Sequence, residues 1–176
     1  MVSLQDIEAA ERRIRPTIHV TPCEYSETFS GVSGNRVYFK LENLQMTGSF
    51  KERGALNKLL LMTPEERSKG VICASAGNHA QGVAYHATRL GIRALIYMPE
   101  HAPITKVNAT ERYGAEVVLF GKSFDEALGE AKRVGAVEGM TFVHAFDDEA
   151  VIAGQGTCGL EILTQNPFME AVVVPV

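Results

Sequence analysis

The sequence predicts an α/β domain built on a four-stranded parallel sheet flanked by helices. Three observations point there. Short apolar runs recur at 71–75 (VICAS), 94–99 (ALIYMP), 116–120 (EVVLF) and 141–146 (TFVHAF). The segments between them have helical length and legible ends: Gly91 follows HATRL, Gly114 follows NATERY, and SFDE at 123–126 reads as a capping box. Strands spaced by helices need crossovers, which leave neighbouring strands parallel.

In chain order, a helix is expected over 4–14, followed by an irregular stretch containing Pro, Gly and Ser that runs to Asn35. A strand is expected at 37–42 (VYFKLE), apart from the main sheet, and a helix at 50–61. TPEE at 63–66 reads as a second capping box. After the fourth apolar run, 147–166 reads as helix in two parts and 171–176 (AVVVPV) as an apolar strand. The chain shows no internal repeat, low-complexity tract or linker, so any domain division must follow from topology rather than composition.

At 176 residues and 45% hydrophobic content, the chain supports one sizeable core, or one domain with pieces of another. The net charge of −4, with scattered Lys and Arg, gives no electrostatic footprint for nucleic acid or an anionic membrane. Cys23, Cys73 and Cys158 are odd in number and without metal-ligand spacing, which fits free thiols in a reducing compartment. No apolar run approaches the roughly 18 residues of a membrane helix, and the N-terminus lacks the apolar core of a signal segment. A cytoplasmic protein is the expectation.

Lys51 is the sharpest chemical candidate. It follows a Thr-Gly-Ser turn at the start of the 50–61 helix, where unpaired amides and the charge of Arg53 both disfavour an ammonium. A neutral lysine amine attacks carbonyls and forms Schiff bases. Phe50 and the glycines at 48 and 54 suit a flat ligand; a solvated lysine on an outer helix face is the competing reading. The second candidate is SAGNHAQG, Ser75 to Gly82, where a strand hands over to a helix and free amides can meet a carboxylate or phosphate. There Asn78 also reads as an ordinary N-cap and His79 as a hydrogen-bonded histidine. No GxGxxG follows a strand, so this is not a dinucleotide site. A metal site has little support: the five histidines are dispersed, no HExxH or CxxC occurs, and Asp147, Asp148 and Glu149 read as a helix start.

Together, TGSFKERGA (47–55) and SAGNHAQG (75–82) resemble the fold-type II pyridoxal phosphate enzymes, and within them the threonine dehydratase (threonine ammonia-lyase) group. The resemblance extends to VIAGQGT at 151–157 and the closing VVVPV. It implies a small domain at 41–150 with helices on both sheet faces, flanked by large-domain pieces at 1–40 and 151–176. It implies pyridoxal 5'-phosphate as cofactor, and dehydration and deamination of L-threonine or L-serine to a 2-oxo acid and ammonia, within amino-acid metabolism such as isoleucine biosynthesis. Residue by residue, it makes Lys51 the Schiff-base and proton-transfer residue, packs Phe50 on the cofactor ring, and places Asn78 against the ring oxygen. Ser75, Ala76, Gly77, Asn78 and His79 would receive the substrate carboxylate. Serine racemases of this family carry a second serine where this chain has Ala76, so elimination is favoured over racemisation. A non-catalytic domain binding a small anion or nucleotide is the other reading. In nucleotide-regulated relatives, positions matching Thr47, Gly48, Gln81 and Tyr113 border an effector pocket; ordinary turn and packing residues compete with that assignment. The resemblance also implies a homo-oligomer without nucleic-acid or membrane partners. The family continues past its VPV strand into a phosphate-cradling glycine run and a further domain, so the chain reads as the N-terminal portion of such an enzyme.

Overall fold

The computed structural model describes residues 1–175. Helix α1, Leu4–Ile14, starts at a capping box between Ser3 and Asp6 and buries Ala10 and Ile14. Where the sequence suggests only irregular chain, β1 (Cys23–Tyr25) and α2 (Glu27–Ser33) form instead, and β1 pairs antiparallel with β2 (Tyr38–Lys40). Tyr25 and Tyr38 meet edge to face across the strand pair at 5.4 Å, and Phe29 of α2 meets Phe39 of β2 at 5.2 Å, contacts that a window of local sequence does not display.

The expected parallel sheet is present. Its strands are β3 (Val71–Ala74), β4 (Ala94–Met98), β5 (Glu116–Leu119) and β6 (Thr141–Phe142), in the order β5-β4-β3-β6 and all parallel. Val71 sits opposite Ala94 on one side and Thr141 on the other. Helices α3 (Lys51–Leu61), α5 (Asn78–Arg89) and α6 (Ile104–Arg112) cover one face, whose core contains Val71, Cys73, Ile96 and Met98. Helix α7 (Phe124–Glu138) covers the other, over Ile72, Ala74, Leu95 and Tyr97. Alternate residues of each strand thus serve opposite cores, which is why these strands read as continuous apolar runs rather than alternating ones.

Several local expectations need correction. At 141–146 only Thr141 and Phe142 are strand, because the next carbonyl, that of Val143, is taken by His79 and the backbone turns at His144. The expected two-part helix is a single one, α8 (Glu149–Gln165), since its glycines at 154 and 156 meet other elements at close approach rather than breaking it. Residues 171–175 are not strand; they are exposed and have no neighbouring strand among the described residues, and a strand needs a partner. Val176, the last residue of that expected strand, lies outside the described residues. TPEE is a full capping box opening α4 (Pro64–Lys69). SFDE is half of one: Ser123 accepts from the Glu126 amide, but the Glu126 carboxylate accepts from Lys122 N.

Three glycines let α3 contact two helices at once. A Cβ on Gly82 of α5 would lie 3.1 Å from Glu52 Cα, and one on Gly154 of α8 would lie 2.6 Å from Arg53 O. Gly54 of α3 faces α8 likewise, 2.8 Å from Val151 O. The first turn of α3 is therefore clasped between α5 and α8.

Candidate active site

Lys51 is the first residue of α3. The turn before it is built by Gly48, at φ +73, a left-handed conformation that a side chain disfavours. Glu52 closes that turn: its carboxylate accepts from Thr47 N at 2.9 Å while its side chain is buried, and burial raises its pKa. No side chain caps α3. The Lys51 Nζ donates to Ala145 O at 3.0 Å and lies 5.5 Å from the Phe50 ring centroid. Burial depresses its pKa below the ordinary lysine value.

The expected contribution of Arg53 to that depression is overturned. Arg53 is 1% exposed, and its guanidinium donates Nε to Glu42 at 2.7 Å and Nη1 to Glu161 at 2.8 Å. Thr157 Oγ1 and Lys40, the latter through Glu161, complete the cluster. Two carboxylates consume the arginine charge, so desolvation alone acts on Lys51. Burial by itself would raise the pKa of Glu42, but the bidentate guanidinium holds its carboxyl below the usual range.

Helix α5 runs beside Lys51, with an added Cβ on Gly82 3.4 Å from the Lys51 carbonyl carbon, and is entered by a turn from β3. Ser75 Oγ accepts from Gly77 N at 3.2 Å, and Gly77 is the N-cap of α5, which leaves the first-turn amides without a side-chain acceptor. Ala76 and Gly77 are half-buried and Asn78 is exposed. His79 is buried and bonds Val143 O through Nε2 at 3.0 Å, while its Nδ1 has no partner. Burial pushes its pKa down to about 4, with the Lys51 charge acting in the same direction. Lys51 and His79 thus hold the same loop after β6, one through Ala145 and the other through Val143.

The four candidate effector residues share a neighbourhood. Tyr113 Oη donates to Met46 O at 3.1 Å, beside Thr47, whose buried hydroxyl has no partner. The Tyr113 ring meets Tyr85 edge to face at 5.5 Å, and Gln81 lies one turn before Tyr85 on α5. The reading of 147–149 as a helix start fits: Asp148 caps α8, accepting from Ala150 N and Val151 N, and pairs with Lys58 at 2.6 Å. A concavity of ≈320 Å³ lies elsewhere, between α1 and α8; Glu161 of the arginine cluster borders it, but Lys51, His79 and the turn into α5 do not.

The chemistry available is that of a desolvated amine, a neutral imidazole and first-turn amides of α5 that no side chain caps. Glu52, His144 and the Glu42–Arg53–Glu161 cluster were not singled out from sequence. The one available signal was spacing, since Glu52 and Arg53 lie four and three residues before the buried Leu56, on the inward side of α3.

The model of the family described as "Pyridoxal-phosphate dependent enzyme" matches residues 14–176. The L-threonine ammonia-lyase of Thermotoga maritima is 52% identical over 176 residues, covering 100% of this chain and 44% of that protein. The structure of the processed form of threonine deaminase isoform 2 from Solanum lycopersicum superposes with TM-score 0.87 at 44% identity, covering 92% of this chain and 44% of that one. Maize serine racemase superposes with TM-score 0.91 at 36% identity, covering 95% and 51%. The chain spans about half the length of the curated relatives it matches.

Proposed function

The chain belongs to the pyridoxal-phosphate dependent enzyme family, and from that premise we propose that it carries the lysine half of an active site that dehydrates and deaminates L-threonine and L-serine to a 2-oxo acid and ammonia. The observation that carries this reading is the Lys51 amine, desolvated at the start of α3, bonded to Ala145 O and 5.5 Å from the Phe50 ring. The residues present fit the cofactor. The amine is biased toward the neutral form that attacks an aldehyde, and the unpartnered Nδ1 of His79 leaves acceptor capacity in the niche. Lys51 would hold the cofactor, Phe50 would pack on its ring and Asn78 would bond its ring oxygen. When bound, the group supplies an electron sink for the bond broken at the substrate Cα. The backbone at Ser75, Ala76, Gly77, Asn78 and His79 orients the substrate carboxylate. With the cofactor bound, Lys51 Nζ would be the base that takes the Cα proton.

Elimination is favoured over racemisation because Ala76 offers a methyl where acid–base work on the opposite face would need a hydroxyl. The serine racemase likeness keeps racemisation as the second reading. We also assign residues 41–150 to a small domain, and 1–40 and 151–176 to a larger one. Thr47, Gly48, Gln81 and Tyr113 are offered as the border of a nucleotide effector site, supported by the Tyr113–Met46 bond and the orphaned Thr47 hydroxyl. A cytoplasmic homo-oligomer completes the reading, and sedimentation should show concentration-dependent association.

The test of the main reading is chemical trapping. The chain is incubated with pyridoxal phosphate and reduced with borohydride, and its peptides are then weighed. A phosphopyridoxyl adduct on Lys51 is expected, absent in Lys51→Ala. An adduct spread over surface lysines, with none on Lys51, would refute the assignment.

A further inference from the structure

We propose that His144 is a positioning residue for Lys51: its ring nitrogen folds the backbone after β6 into the turn whose Ala145 carbonyl holds the lysine amine. The His144 Nδ1 accepts from Asp147 N at 2.7 Å and from Phe146 N at 3.3 Å. A side-chain acceptor bonding the amide two residues on is the geometry by which asparagine and aspartate build turns, here supplied by imidazole with its proton on Nε2. The ring is held edge to face against Phe146 at 4.6 Å and tilted against Phe142 at 6.1 Å. The residue inside this turn, Ala145, presents the carbonyl that receives Lys51 Nζ at 3.0 Å. On the upstream side, Val143 is fixed twice, by N–H donation to Ile72 O at 2.9 Å and by its own carbonyl accepting from His79. The turn therefore has one end anchored to the sheet and the other folded by His144, and the lysine amine bonds between them. Without the nitrogen acceptor, two amides lose their partner and the carbonyl facing Lys51 loses its fixed place, so water reaches the amine.

This inference rests on Lys51 being the reactive amine of the proposed function, but its test needs no cofactor. The pH profile of reductive methylation is measured for each lysine of the intact chain by mass spectrometry, with the exposed Lys106 and Lys122 as references. Backbone amide exchange at Phe146 and Asp147 is followed alongside. His144→Phe keeps an aromatic ring between Phe142 and Phe146 but removes the acceptor. His144→Asn restores an acceptor at the same reach without the ring. In His144→Phe the Lys51 midpoint should rise by about one pH unit, about a tenfold loss of neutral amine at fixed pH below it, as the amine becomes hydrated. The two amides should exchange at least about tenfold faster once unbonded, and the reference lysines should not change. His144→Asn should restore both readouts. An unchanged Lys51 profile in His144→Phe, with faster exchange at 146 and 147, would show that turn and lysine are uncoupled. His144→Asn behaving like His144→Phe would likewise overturn the role. Should His144→Phe not fold, His144→Ala against His144→Asn makes the same comparison. If pyridoxal phosphate fails to label Lys51 in the wild-type chain, the functional reading fails, while the methylation comparison still decides the role of His144.

Discussion

Arg53 stands two residues from Lys51 and does a different job. Its guanidinium is buried between Glu42, from the 3-10 turn at Glu42–Leu44, and Glu161 on α8, so one side chain ties three segments together. Removing one partner from such a cluster leaves uncompensated buried charge. Arg53→Met should therefore cost about 3–5 kcal/mol at pH 7. Its sign with pH is fixed by the carboxylates. In the wild type, Glu42 has a depressed pKa, so its stabilisation is present above the ordinary carboxylate value and is lost as pH falls below it. Without the arginine, burial raises the Glu42 carboxyl, and the deficit of the variant should shrink as acid neutralises it. Urea melts of both proteins at pH 7 and pH 4.5 check this, and a deficit independent of pH would contradict it.

At the scale of elements, the position of Lys51 depends on how closely α3 approaches α5 and α8. Gly154→Ala places a methyl 2.6 Å from Arg53 O and 2.7 Å from Gly54 Cα, both backbone atoms that no rotamer change can move. The helices must separate, and a loss of about 1–3 kcal/mol is expected, together with weaker adduct formation at Lys51. Gly129 is the internal control. It lies inside α7 with nothing within 4 Å of an added Cβ, so Gly129→Ala should gain about 0.5–1 kcal/mol from reduced chain entropy. Thermal melts of the pair should move in opposite directions.

For the molecule as a whole, acid stability is set in part by two histidines buried on α5. His79 and His86 are both pushed down to about 4, His86 by burial and then by the Arg89 charge, and neither ring nitrogen of His86 has a partner. Because both values lie below the ordinary 6.5, the unfolded chain binds more protons between pH 6.5 and 4. Stability from these groups is complete above that window and falls within it, by about 1.4 kcal/mol per pH unit for each histidine. His86→Leu should remove about half of that slope and cost little at pH 7, since an apolar side chain leaves no unpaired polar atom behind. Denaturant titrations from pH 7 to 4.5 would reveal it, and an unchanged slope would exclude His86 as a contributor.

By itself, the sequence determined the parallel sheet, the helix over Leu4–Ile14, the full capping box at Thr63, and the place of Lys51 at the start of a helix. These are local properties. Apolar runs, caps and turn glycines act within about one or two helical turns, so a short window contains their cause. Only the tertiary structure decided that Arg53 is spent on Glu42 and Glu161, that the strand at 141 stops after two residues, that α8 is continuous, and that Ala145 receives the lysine amine. Lys51 and Ala145 are 94 residues apart and Arg53 and Glu161 are 108 apart, so no window of sequence contains both partners. A charge two residues from Lys51 in the chain acts on it only if the fold leaves that charge free. Here the fold places two carboxylates against the guanidinium, and burial is left to lower the pKa of the amine.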